Sequence, residues 1–240
     1  MPNTEAGSAW QDHGDGTYSA AYTAQTAGTG LTASLQLSGW GGSVGSPAYV
    51  ITAYGLKDIV VNSHTFSPDI HFPTTGFSGA SFAFEITGGE AADLTWRSDT
   101  SWVSVSAGAV KFDETGSSGL GKTVTITAEN ANGVKVIEYS FVIKHWYSES
   151  ASNGVPFDEA TSQCASPSVL PTIAEMSTET RTIGALVDEW GALDAYTAFG
   201  GDIYWSSTAS DTVGRHKTMV SDGRITEDAD RMHLYVLCFR

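Results

Sequence analysis

Residues 231–240 read RMHLYVLCFR. The run alternates like a half-buried strand and carries Cys238; the other cysteine of the chain, Cys164, stands seventy-four positions earlier. Two cysteines fit one disulfide better than a metal site, which needs three or four ligands at close spacing. The alternative is a pair of buried free thiols. Cys164 falls in PFDEATSQCAS (156–166), a good helical stretch, so a bridge would fasten the last strand to the first helix of its domain. Closing so long a loop is worth about 4 kcal/mol in the chain-entropy model. A bridge of this kind implies an oxidising, extracellular setting.

Outward from the two cysteines, residues 146–240 read as a small α+β domain. STETRTIGALVDEWG (177–191) places Ile183, Leu186, Val187 and Trp190 on one apolar stripe; Ser177 or Thr178 can cap its start and Gly191 its end. Strand signals stand in KHWY (144–147), DIYWSS (202–207), HKTMVS (216–221) and MHLYVLCF (232–239). The adjacent acids Asp158–Glu159 and Asp188–Glu189 diverge on a helix and read as solvated faces, while Trp190 and Trp205 read as core.

Residues 56–145 follow a different grammar. DIVV, SFAFEI, DLTWRS, WVSV, KTVTITA and KVIEYSFVI are short alternating runs bounded by TGG, SAG, TGSSGLG and NANG, the spacing of a sandwich. Ile137, Tyr139, Phe141 and Ile143 mark its closing strand. Residues 1–55 are strand-like as well: LTASLQL sets Leu31, Ala33, Leu35 and Leu37 on one face. Three strands in this stretch are too few to close a sandwich, so it reads as the back half of a truncated domain or as a segment that completes its neighbour.

With 26 glycines and only 16% charged residues, the composition favours short strands and tight turns over long helices. A net charge of −15, from 12 Lys+Arg against 27 Asp+Glu, excludes nucleic acid and disfavours an anionic membrane. No run approaches a membrane span, and residues 1–30 lack a signal sequence. We therefore expect an expression fragment whose targeting and anchoring segments lie upstream. Arg181 is the single base of residues 147–211, whereas residues 212–240 hold five, so the last third is electrically two-faced.

The ordered set WY (146–147), PFDEATSQCAS, LPTIAEM (170–176), DEWG (188–191), YWSST (204–208) and YVLC (235–238) resembles a C-type-lectin-like domain. An immunoglobulin-like domain running into such a domain resembles the tip of the intimin/invasin family of bacterial adhesins, and DHGDGTYSAAYTAQTAGTGLTASLQLSG (12–39) is similar to part of the family's bacterial Ig-like repeats. The resemblance implies a mainly β fold: tandem immunoglobulin-like β-sandwich domains at 1–55 and 56–145, then an α+β C-type-lectin-like domain at 146–240. It further implies a terminal disulfide between Cys164 and Cys238, exposure at the cell surface, and anchoring only through an N-terminal barrel absent from these residues. The expected molecule is a monomeric fragment, not an enzyme, with no cofactor and a host protein as its partner.

Sugar-binding lectins hold calcium with a Glu/Gln-Pro-Asn/Asp loop and a Trp-Asn-Asp strand. YWSSTASDTVGRHKTMVSDGR (204–224) has neither, and hard cations need several convergent oxygens, so no metal is expected. A calcium-independent carbohydrate-binding module is the alternative reading. GGSVG (41–45) matches a hydrolase nucleophile elbow, but a proline and a strand follow where a helix is required; DHGDG (12–16) reads as a hairpin turn. The polar segment Thr208–Arg231 remains the best contact surface, with Asp211, Arg215, His216, Arg224, Asp228 and Arg231 as candidates.

Overall fold

Alternating apolar residues sort this chain into layers, and the computed structural model describes residues 1–36, 38–113, 116–150 and 153–240. It falls into two compact units, Met1–Gly55 with Ile86–Glu90, and Leu56–Glu85 with Ala91–Arg240.

The first unit is a set of short ladders: Thr4–Ala6 with Tyr22–Ala24, Gln11–Asp12 with Tyr18–Ser19, Gly28–Leu31 with Tyr49–Ile51, and Ser34–Leu35 with Val44–Gly45. The continuous strand expected over LTASLQL is therefore split; Leu35 is exposed and Leu37 lies outside the described residues. None of the described residues of this unit is buried. The DHGDG turn closes a hairpin, with His13 N donating to Thr17 O and Gly14 N to Asp12 Oδ1.

Apart from Gly55 and the end of β4, the second unit opens with β1 (Gly55–Val61), β2 (His64–Phe66), β3 (Thr75–Phe77), β4 (Ser81–Thr87), β5 (Thr95–Ser98), β6 (Val103–Ser106), β7 (Ala109–Phe112), β8 (Thr123–Glu129) and β9 (Lys135–Val142). One sheet runs β2-β1-β4-β7-β6 and a second β5-β8-β9. The period-2 pattern sends Phe82 and Phe84 of β4, Val124 and Ile126 of β8, and Ile137, Tyr139 and Phe141 of β9 into the core, while their neighbours Ser81, Ala83 and Glu85 face water. Phe84 stacks on Trp96 and Phe112 on Phe141, so aromatic rings fill the space that a disulfide staples in other sandwiches.

The chain continues through β10 (His145–Glu149), the helices α1 (Phe157–Gln163), α2 (Ile173–Met176) and α3 (Leu186–Trp190), and β11 (Ile203–Ala209), β12 (Arg215–Val220), β13 (Ile225–Ala229) and β14 (Tyr235–Phe239). A six-stranded sheet runs β3-β10-β14-β11-β12-β13. Its first member comes from the earlier part of the chain: β3 pairs in parallel with β10, Gly76 opposite Trp146. A Cβ at Gly76 would sit 3.0 Å from the Trp146 ring, so a side chain there would require the ring to shift.

Cys164, the C-cap of α1, is bonded to Cys238 of β14. The bridge lies in a small core of Ala160, Leu170, Trp205, Leu234 and Val236. Trp205 and Trp190 are both fully buried, as their positions predict.

Two expectations change here. The helix expected over 177–191 is confined to Leu186–Trp190, and Ile183 is exposed, because Gly184 adopts φ 119° and breaks the helical path. The residues before it are instead held by side chains: Thr178 N donates to both Asp188 oxygens, at 3.0 and 3.1 Å, and Gly184 N to Glu189 at 2.9 Å. Asp188 and Glu189 are accordingly buried, where adjacent acids on a helix are expected to be solvated. Asp158 and Glu159 do face water.

Candidate functional site

The candidate contact surface is organised by the hairpin of β12 and β13. Ile225–Ala229 forms a full strand in a stretch whose sequence reads as loop, because its partner β12 offers a complete ladder from Arg215↔Ala229 to Met219↔Ile225. Two backbone bonds frame the hairpin, Val220 N to Arg224 O and Asp230 N to Gly214 O. Alternation along the ladder turns the backbone groups of Ile225, Glu227 and Ala229 outward, at the edge of the sheet.

That edge is covered. Glu179 Oε1 accepts from Ile225 N at 3.1 Å, Arg215 Nη1 donates to Glu227 O at 3.2 Å, and Met232 N donates to Ala229 O at 2.8 Å. An exposed edge strand invites pairing with another chain, and these caps blunt it. Arg215 therefore has a structural partner besides any contact role.

The six predicted residues do not form one patch. Asp211, Arg215 and Arg231 are exposed at the end of the hairpin where the turn 210–214 meets residues 230–232. Arg224 lies in the opposite turn, five residue steps of β12 or about 16 Å away, paired with Asp222 at 2.8 Å. His216 is largely withdrawn: its ring stacks on Phe157, and its Nδ1 donates to Asp230 Oδ1 at 2.8 Å. Asp228 is half-buried and accepts from Thr218 Oγ1 at 2.8 Å. The geometry thus divides the set into an outward tip, a separate turn and two residues engaged within the sheet.

Two residues at the tip escape a reading based on charge. Val213 is 99% exposed and Met232 is 45% exposed, close to Arg215 and Arg231. Exposed apolar groups among arginines make up the composition of protein-binding surfaces. The only signal for them in sequence is their place beside turn-forming Gly214 and Asp230.

A second polar constellation holds the hairpin's domain to the sandwich. The Glu189 carboxylate accepts from five donors: Thr74 N and Oγ1, Thr75 N and Oγ1, and Gly184 N. Burial raises its carboxyl above the usual range, and these hydrogen bonds offset that only in part. Arg181 Nη2 spans the same seam, donating to Val61 O at 3.3 Å and Glu189 O at 3.1 Å, while Asn62 donates to Trp190 O at 3.0 Å. Trp190 packs against Phe72, Phe77 and Phe112.

Fold and site together define a class: a mainly β chain with immunoglobulin-like sandwich architecture leading into an α+β C-type-lectin-like part. Residues 57–141 match the family described as invasin, domain 4. The inverse autotransporter adhesin YeeJ of Escherichia coli (strain K12) is 28% identical over 183 residues, which are 72% of this chain and 8% of that protein; the chain thus spans less than a tenth of that relative. In fold, the chain is similar to the crystal structure of invasin, a bacterial integrin-binding protein, with a TM-score of 0.71 at 22% identity over 98% of this chain and 49% of that one. It is also similar to the C-terminal 282-residue fragment of intimin, solved with the intimin-binding domain of the translocated intimin receptor, with a TM-score of 0.58 at 19% identity over 93% of this chain and 79% of that one. Together these matches say what the chain is similar to: in sequence the invasin domain 4 family and a bacterial adhesin, and in fold invasin and intimin. Among the described residues no helix is long and apolar enough to cross a membrane.

Proposed function

We propose that the chain attaches bacteria to host tissue by docking a host cell-surface or secreted protein through residues 146–240, displayed outside the cell by a longer protein. The division into parts at 1–55, 56–145 and 146–240 belongs to the same proposal. The observation that carries it is the tip of the hairpin, where Val213 stands fully in solvent beside Met232, Arg215 and Arg231 on a disulfide-stapled sheet. Preorganised loops bind without a large ordering cost, and an exposed apolar anchor with two arginines nearby supplies both burial and specificity. Proteins of similar fold lend support: invasin is an integrin-binding protein, and intimin was solved with a receptor domain.

The test is binding of the full chain to intact epithelial cells, before and after surface proteolysis. Protease-sensitive binding that falls at least tenfold with Val213→Glu, and is unchanged by Arg224→Glu, supports the tip. Binding that survives proteolysis, or that ignores Val213→Glu, overturns it.

A further inference from the structure

A groove of about 850 Å³ lies within the second unit, between the sandwich and the lectin-like part. Phe112, Trp146 and Tyr147 form its buried floor. Ser104 and Lys111, from β6 and β7, line one side; Ser148 and Glu149 of β10, with Thr197, line the other. Its volume falls in the range of small-molecule sites, and it is well removed in sequence from the hairpin residues discussed above.

Two features distinguish it from ordinary surface relief. Glu149 Oε2 accepts from Gly200 N at 2.9 Å, Gly201 N at 3.2 Å and Tyr204 Oη at 2.9 Å, which fixes the carboxylate in place. Its Oε1 accepts no hydrogen bond among the described residues. Burial and then the Glu149 charge push the Tyr204 hydroxyl far above the usual phenol range, so it stays a donor. Lys111, exposed and in the same lining, has an ammonium with no hydrogen bond or ion pair among the described residues. An oriented acceptor and a free donor in one lining, with serine and threonine hydroxyls that serve as either, complement a run of adjacent hydroxyl groups.

The chemistry narrows the ligand further. A peptide partner needs an apolar pocket for side chains, and here the aromatic floor is already covered. An acidic ligand is disfavoured by the Glu149 carboxylate in the lining. We infer that this groove binds a neutral saccharide without calcium, Glu149 accepting from one sugar hydroxyl and Lys111 donating to the next. The inference does not depend on the hairpin tip being the host-protein site.

The test uses the whole 240-residue chain, titrated with lactose, N-acetyllactosamine and 3′-sialyllactose and followed by amide NMR, with and without EDTA. The neutral sugars should shift the amides of Lys111, Ser148 and Glu149, with affinity unchanged by EDTA or by Arg224→Glu. Lys111→Ala should weaken binding about tenfold, and Ser148→Trp, which fills the groove from an exposed position, should abolish it. Ser148→Asn, with melting curves for each variant, separates occlusion from misfolding. Absence of shifts at millimolar neutral sugar, preference for the sialylated probe, or equal binding by Ser148→Trp would overturn the inference. So would capture of phage-displayed peptides by the groove in place of sugars.

Discussion

Glu189 and Thr75 lie 114 positions apart in the chain, and the Thr75 hydroxyl donates to the Glu189 carboxylate at 2.6 Å. The contact joins a helix of the lectin-like part to the strand that the sandwich lends to the six-stranded sheet. Every group around that carboxylate is a donor, so the seam is built for an acceptor on both oxygens.

Glu189→Gln is therefore expected to destabilise the second unit by about 3 kcal/mol, since an amide NH₂ must then face a backbone N–H that cannot turn away. Thr75→Val, which removes one hydroxyl and leaves the other donors, should cost about 1 kcal/mol. Urea unfolding followed by tryptophan fluorescence measures both, Trp190 being next to the site. Equal stability of Glu189→Gln and the parent would contradict this account of the seam.

Residues 146–240 produced alone should not reach a native fold. Without β3 the sheet loses its edge member, Glu189 loses four of its five donors, and Trp190 loses Phe72, Phe77 and Phe112. Residues 56–240 should fold. Near-UV circular dichroism and amide dispersion of the two fragments decide the matter, and a well-dispersed spectrum from 146–240 would refute it.

Replacing both cysteines, Cys164→Ser with Cys238→Ser, should lower stability by about 4 kcal/mol, because the unfolded chain regains the freedom of a loop seventy-four residues long. Reductant should lower the melting temperature of the parent and leave that of the double variant unchanged. A parent insensitive to reductant would mean that the bridge adds nothing to stability.

Arg215→Ala uncovers the Glu227 carbonyl at the sheet edge and should cost less than about 1 kcal/mol, given its exposed position. A tenfold loss of host-cell binding at unchanged melting temperature would then mark Arg215 as a contact. Parallel loss of both would mark it as an edge cap alone. Size-exclusion chromatography reports whether the uncovered edge begins to self-associate.

Much of this architecture was legible along the chain. Alternation in SFAFEI, KTVTITA and KVIEYSFVI is a local property, and each run is a strand with its apolar set inside. Two cysteines allow one intramolecular pairing, and the observed bridge is that pairing. ITEDA, by contrast, has no strand signal of its own; it becomes a strand because β12 lies beside it with a ladder to complete.

The amino-acid sequence by itself determined the sandwich strands, the helix at 157–163, the pairing of the thiols and the resemblance to a family of adhesins. The first three rest on periods of two and about four residues, or on counting, and the resemblance on an ordered set of motifs. Only the tertiary structure decided that Asp188 and Glu189 are buried acceptors, that Val213 and Arg224 stand at opposite ends of one hairpin, and that Lys111 and Glu149 face a common groove. A side chain's role in such places depends on partners supplied from far along the chain, and the local pattern carries no record of their positions.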